Sequence, residues 1–135
     1  MKKAILTLSV LIAAFIFPQC SQDTRVKAIL EIQAKAVNLQ CPLKLDNSVT
    51  MTKCEVIGNR TLRYYYSMNL GLDVDTVTFK ENAAPAVIDA LKEMPESKQF
   101  SDYAVVLQFR YHDQNGKYYC QIEVTPEQYK QDKQD

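Results

Sequence analysis

Residues Tyr103 to Thr125 read Y-A-V-V-L-Q-F-R-Y-H-D-Q-N-G-K-Y-Y-C-Q-I-E-V-T. Two alternating runs flank Asn115-Gly116, the dipeptide that accepts positive φ most readily and so closes a tight hairpin. Parity tests the register. If Gln114 faces Lys117, then Tyr111 faces Cys120, Phe109 faces Ile122 and Leu107 faces Val124, all on one side. Gln108, Arg110, His112, Tyr119, Gln121 and Glu123 then share the other side. A slip of one residue would bury the charges and expose the aliphatics.

A second hairpin spans Thr50–Ile57 and Thr61–Leu70. A two-residue loop would set Val56 against Thr61, whereas a three-residue loop at Gly58-Asn59-Arg60 sets Val56 against Leu62, Cys54 against Tyr64 and Thr52 against Tyr66. Leu62, Tyr64, Tyr66, Met68 and Leu70 then face inward, and Arg63, Tyr65, Ser67 and Asn69 outward.

A helix precedes each hairpin. Asp23 or Thr24 caps the first, which runs to about Asn38 with Val26, Ile29, Leu30, Gln33 and Val37 on its core stripe, widened by Ile32 and Ala36. Asn82 caps the second, from about Ala83 to Met94, with Ala84, Val87, Ile88, Leu91 and Met94 facing the core and Pro85 in the first turn. Asn38–Ser48 reads as an extended linker with a turn at Asp46-Asn47-Ser48. Asp73–Phe79 reads either as an extension of the preceding strand or as a short edge strand, and Pro95–Asp102 as a polar connection holding Phe100. Thr125-Pro126-Glu127-Gln128 resembles a capping box for one last helical turn. The expected fold is α+β, in helix-hairpin-helix-hairpin order: a four-stranded antiparallel sheet with both helices on one face.

Length allows one domain among the 135 residues. Residues 1–22 are read as a signal peptide or membrane anchor, 23–128 as the domain and 129–135 as a polar tail. Met1-Lys2-Lys3 is a basic start and Ala4–Phe17 an apolar run too short to span a bilayer comfortably, which suits an export signal. Three exits stay open: lipidation at Cys20, ordinary cleavage, or an uncleaved anchor. Phe17-Pro18-Gln19 is not the small-residue approach that lipidation favours. The charge is balanced, with 16 basic and 16 acidic residues. That excludes the basic patch which nucleic-acid binding requires.

Export permits disulfides. Cys54 and Cys120 both face inward and are bridge candidates if their strands are neighbours. Cys41 with Cys54 is the local alternative, and buried free thiols are the third. No cysteine spacing suggests zinc, His112 is the lone histidine and no cofactor is implied. His112 has no nucleophile beside it. Asp73 and Asp75 lack the glycine and distal glutamate of a calcium loop.

What is left is tyrosine. Tyr65 and Tyr119, with Arg63, Val106, Arg110 and His112, compose an outward face of the kind enriched at protein interfaces, so a protein partner is expected there. Contact with a membrane is expected only through the N-terminus. The competing expectation is a small ligand held in a cleft between helices and sheet, lined by Tyr64, Tyr66 and Tyr111. Function is thus legible only as a small exported domain, non-enzymatic and made for binding.

Asn38-x-x-Cys41-Pro42, Asp46, Thr50, Tyr64-x-Tyr66 and Tyr111-x-Asp113-x-x-Gly116 together resemble a group of small uncharacterised bacterial proteins, exported or lipoprotein-like, that share an N-x-x-C/L-P…D…T…Y-x-Y order. The resemblance covers about Asn38 to Val124 and implies no activity. Where the group has an Arg-Leu-Asp-like run after the threonine, this chain has Met51-Thr52-Lys53.

Overall fold

Both hairpins form around the inward pairs that parity selects. A computed structural model of the chain describes residues 22–69 and 74–131. Helix α1 covers residues 22–40. Strands β1 (Leu43–Lys44), β2 (Val49–Ile57) and β3 (Thr61–Met68) follow. Helices α2 (Thr76–Glu93) and α3 (Ser97–Asp102) lead to β4 (Val106–Asp113), β5 (Tyr118–Val124) and the single turn α4 (Pro126–Tyr129). Cys54↔Tyr64 and Val56↔Leu62 pair in the first hairpin. Leu107↔Val124, Phe109↔Ile122 and Tyr111↔Cys120 pair in the second. Gly58 (φ 63°) and Gly116 (φ 85°) supply the left-handed residues that the loops need.

The way the hairpins join overturns the expected fold. The sheet is five-stranded and mixed, in the order β1-β2-β3-β4-β5. Its central pair, β3 and β4, is parallel, with Tyr64 opposite Phe109 and Tyr66 opposite Tyr111. Parallel neighbours need a long crossover, and the α2–α3 segment between the hairpins is one. The fifth strand comes from the stretch read as linker: Leu43↔Met51 and Lys44↔Thr50 add a short antiparallel edge. Beyond β1, the α1 side chain of Asn38 continues the edge. Its Nδ2 donates to the carbonyl of Cys54 at 2.8 Å, and the Cys54 N–H donates to its Oδ1 at 2.7 Å. One amide thus satisfies a strand edge that would otherwise stay open.

The crossover also starts earlier than expected. Asp75, not Asn82, caps α2: its Oδ1 accepts from the Thr78 N–H at 2.8 Å and its Oδ2 from the Thr78 hydroxyl at 2.9 Å. The β-branched run Thr76-Val77-Thr78 mimics a strand, but the cap and the Phe79 contact with the core decide for helix. Pro85 therefore lies inside the helix rather than in its first turn. The connection after Pro95 contains α3, whose Ser97 and Phe100 are buried. It closes on Ala104 at φ 54°, with the Ala104 N–H on the Ser101 carbonyl and the Val105 N–H on the Phe100 carbonyl. That is a Schellman end with alanine where glycine is usual.

One face of the sheet carries the core: Leu62, Leu107, Ile122 and Val124 pack with Val26, Leu30 and Ala34 of α1 and Leu91 of α2. The α1 stripe is narrower than its sequence suggests, since Ile32 is 68% exposed. Arg60, in the first hairpin loop, ties α1 to α3. It pairs with Asp23 at 2.7 Å and donates to the Tyr103 carbonyl. Tyr129, assigned to the polar tail, is instead 0% exposed and donates to the Val105 carbonyl. The capping-box turn delivers it: Gln128 Oε1 accepts from the Thr125 N–H at 2.8 Å.

No disulfide forms. Cys41, Cys54 and Cys120 are free thiols. Cys54 and Cys120 lie on β2 and β5 with two strands between them. At roughly 4.8 Å per strand spacing that is about 14 Å, twice the Cα reach of a disulfide. Cys20, Leu70 and Asp73 lie outside the described residues.

Candidate binding cleft

The helices do not fill the face that they cover. Between α2, the β1–β2 turn and the sheet lies an open cavity of about 560 Å³. Its floor is Tyr66, Phe109 and Tyr111, its far wall Phe79, Val87 and Leu91 of α2 with the C-cap residue Met94, and its rim Leu45 and Val49. A smaller hollow of about 270 Å³ adjoins it under α1, lined by Gln33, Val37, Met51 and Tyr64. The two share Leu45, Tyr66, Leu91, Met94 and Phe109 and so make one groove.

The floor is a stack of rings set by the strand register. Tyr64 and Phe109 stack with centroids 5.4 Å apart, and Tyr66 and Tyr111 at 5.1 Å. Phe79 closes the end edge-on to both Tyr111 and Tyr119. Burial pushes the hydroxyls of Tyr64 and Tyr66 far above the ordinary tyrosine range and that of Tyr111 up to about 12. All three are neutral donors at physiological pH. Among the described residues Asp46 is the only charged one on the lining. Its carboxylate caps the β1–β2 turn by accepting from the N–H groups of Ser48 and Val49.

The opposite face is built differently. Across four strands, Glu55, Arg63, Gln108 and Glu123 form one transverse row. Arg63 Nε donates to Gln108 Oε1 at 2.8 Å, and Gln108 Nε2 to Glu123 Oε2 at 2.9 Å. Lys53, Tyr65, Arg110 and Gln121 form the next row. The Tyr65 hydroxyl donates to Glu55 at 2.9 Å, Lys53 lies over the Tyr65 ring, and Arg110 donates to Gln121. Burial alone would raise the Glu55 carboxyl, but the hydrogen bonds from Tyr65 and Lys53 and the charges of Lys53 and Arg63 hold it below its usual value. His112 stacks on Tyr65 at 6.0 Å. Burial, then the charges of Arg110 and Lys53, lower its pKa against the opposing pull of Asp113.

Arg63, Tyr65, Arg110 and His112 thus come together on the open face, with Val106 at the start of the same strand as Arg110. Tyr119 does not join them. A bulge in β5 sets Tyr111 against Cys120 but His112 against Tyr118. Tyr119 therefore turns to the helix side, against Phe79, and donates to the Val74 carbonyl. Tyr118 takes its place beside His112 and under Arg110. A matching bulge at Thr52 pairs Met51, not Thr52, with Tyr66. Strict alternation cannot anticipate a bulge, which inserts a residue without changing composition. Leu45 and Phe79 were also missed as cleft residues, because one stood in a presumed linker and the other in a presumed strand.

Among the described residues no group of three or more His, Cys, Asp or Glu is placed to hold a metal ion. None of the described helices is long and apolar enough to cross a membrane.

The family pattern of the Domain of unknown function DUF8479 matches residues 24–120, and the chain belongs to that family. No curated protein sequence matches it. Three solved structures share the fold. A Pseudomonas aeruginosa protein classed as secreted superposes with a TM-score of 0.67 at 13% identity, covering 81% of this chain and 96% of its own. The type II secretion system pilotin AspS from Vibrio cholerae gives 0.64 at 12%, covering 82% and 97%. The type 2 secretion system pilotin EpsS from Vibrio vulnificus gives 0.68 at 8%, covering 83% and 98%.

Proposed function

We propose that the chain is a non-enzymatic accessory domain of the cell envelope that binds a protein, holding an apolar segment of its partner in the groove between α1, α2 and the sheet. One observation carries this reading: a cavity of about 560 Å³ whose walls are almost wholly side chains of Leu, Val, Met, Phe and Tyr, open to solvent. Soluble domains close such gaps unless something else fills them. The basic, apolar N-terminus supports export. The shared fold adds a secreted protein and two secretion-system pilotins as precedents for an envelope accessory role. Residues 1–22 hold the domain in the envelope by cleavage and release, by an uncleaved anchor or by lipid at Cys20.

The test is occlusion. Ala90 lines the cavity from a solvent-reaching position of α2, so Ala90→Arg obstructs the groove without removing a core side chain. The expected result is an unchanged melting temperature with loss of the partner captured by the wild-type exported chain. Tyr65→Ala with Arg110→Ala, on the open face, leaves capture intact. A captured partner that survives Ala90→Arg overturns the reading, as does a wild-type chain that captures none.

A second contact surface is the open face itself, favoured by one feature: Tyr118, at the end of the ring row with Tyr65 and His112, is 53% exposed. Loss of capture in the double variant, rather than in Ala90→Arg, would move the site there.

A further inference from the structure

The groove is apolar in its walls but not in its floor. Tyr64 and Tyr111 are each 8% exposed, yet among the described residues neither hydroxyl, nor that of Tyr66, has a protein hydrogen-bond partner. The third buried tyrosine among the described residues is paired: Tyr129 donates to the Val105 carbonyl. No sealed polar side-chain atom among the described residues lacks a partner. Hydroxyls without one are therefore within reach of solvent, and the side chains of Tyr66 and Tyr111 both line the larger cavity. Their rings stack 5.1 Å apart on adjacent parallel strands, which sets the two side chains next to each other on its floor.

From this we infer that the groove selects a neutral amphiphilic occupant, an apolar partner segment that sets an uncharged hydrogen-bonding side chain (Ser, Thr, Asn or Gln) against the hydroxyls of Tyr66 and Tyr111. The inference rests on the partner-segment reading above. A purely aliphatic occupant would displace water from these oxygens and return nothing. A charged group would be stripped of water among rings and aliphatics without an opposite charge to meet it. Asp46 is at the rim, with its carboxylate engaged in the β1–β2 turn. A neutral polar group meets both hydroxyls without that desolvation cost, since each hydroxyl can donate and accept.

The probes are 1-octanol, octanoate, octylammonium and toluene, titrated at neutral pH into the isotope-labelled exported chain and followed by amide shifts. Octanol is expected to shift residues around Tyr66, Tyr111 and Leu91 and to bind at least tenfold more tightly than octanoate or octylammonium. Tyr66→Phe with Tyr111→Phe should weaken octanol at least threefold and leave toluene within twofold of wild type. If the pair does not fold, Tyr111→Phe alone carries the comparison. Equal octanol affinity in the hydroxyl-free variant, or octanoate binding as tightly as octanol, overturns the inference. The Ala90→Arg experiment reports separately whether the groove takes a partner, so a failed selectivity leaves that result standing and a failed capture is seen without the probes.

Discussion

The two faces of this sheet differ in what they leave unfinished. On the open face the polar side chains answer one another across the strands: Glu55, Tyr65, Arg63, Gln108 and Glu123 are joined by hydrogen bonds between exposed or half-buried groups. On the covered face the aliphatic rows end in a groove with three hydroxyls that no described residue answers. A surface that satisfies itself has little to gain from a partner beyond area, whereas an unfilled apolar groove gains by every group that excludes water from it.

The largest contrast is expected from deleting one ring on each face. Phe109 stacks between Tyr64 and Tyr66 and is nearly buried. Phe109→Ala should cost about 3–5 kcal/mol in urea unfolding, towards the lower end because the groove already leaves part of the ring without neighbours. Tyr65→Ala, on the strand next to it but facing outward, should cost about 1 kcal/mol or less, the scale of a cross-strand pair. Equal losses would mean that the open face is packed against something in the native protein.

How much of this contrast is legible in sequence depends on the kind of residue. Phe109 and Tyr65 were placed on opposite faces by alternation, because hairpin parity makes a wrong register bury charge. Tyr119 was misplaced because the β5 bulge reverses parity for one residue. Tyr129 was missed because a lone aromatic in a polar run has no period to reveal it. The parallel β3–β4 pair was missed for a different reason: each hairpin is specified by local pattern, whereas the way two hairpins abut is set by the crossover, whose first turn looked like a strand. The groove is legible in sequence only as the competing expectation, a cleft lined by Tyr64, Tyr66 and Tyr111, since Leu91, Met94 and Tyr111 carry the same core signature whether the space beside them is filled or not.

The faces should also fail at opposite ends of the pH scale. On the covered face, burial raises the Cys54 thiol from an ordinary 9.0 to about 12, with Cys41 and Glu55 adding to the effect. Burial, then Cys120, raises the Tyr111 hydroxyl from 10.0 to about 12. The folded chain holds these protons more tightly than the unfolded one, so their contribution is complete below pH 9 and is lost as pH rises towards about 12. On the open face, His112 and Glu55 are both held below their ordinary values of 6.5 and 4.5. Their contribution is present above those values and is lost as pH falls below them. Urea midpoints measured across pH should therefore form a plateau between about 6.5 and 9. Tyr111→Phe should soften only the alkaline decline. A variant that alters the acid limb instead would break the assignment of that limb to the open face.

The smallest effect sharpens the comparison most, because it asks whether the polar rows matter to folding at all. Arg63 donates to Gln108 and to the Tyr65 hydroxyl and lies close enough to Glu55 to lower its pKa, all on half-exposed side chains. Water competes for each of these groups and salt screens the charges, so such a network contributes little net free energy. Arg63→Ala should cost no more than about 1 kcal/mol at low ionic strength, and less in 1 M NaCl, where the Debye length falls to about 3 Å. A loss that is small and salt-dependent identifies the row as solvated surface that holds its own shape. A loss above about 2 kcal/mol, unchanged by salt, would show the guanidinium stem and its partners working as a second core, and the sheet would then have two buried faces rather than one.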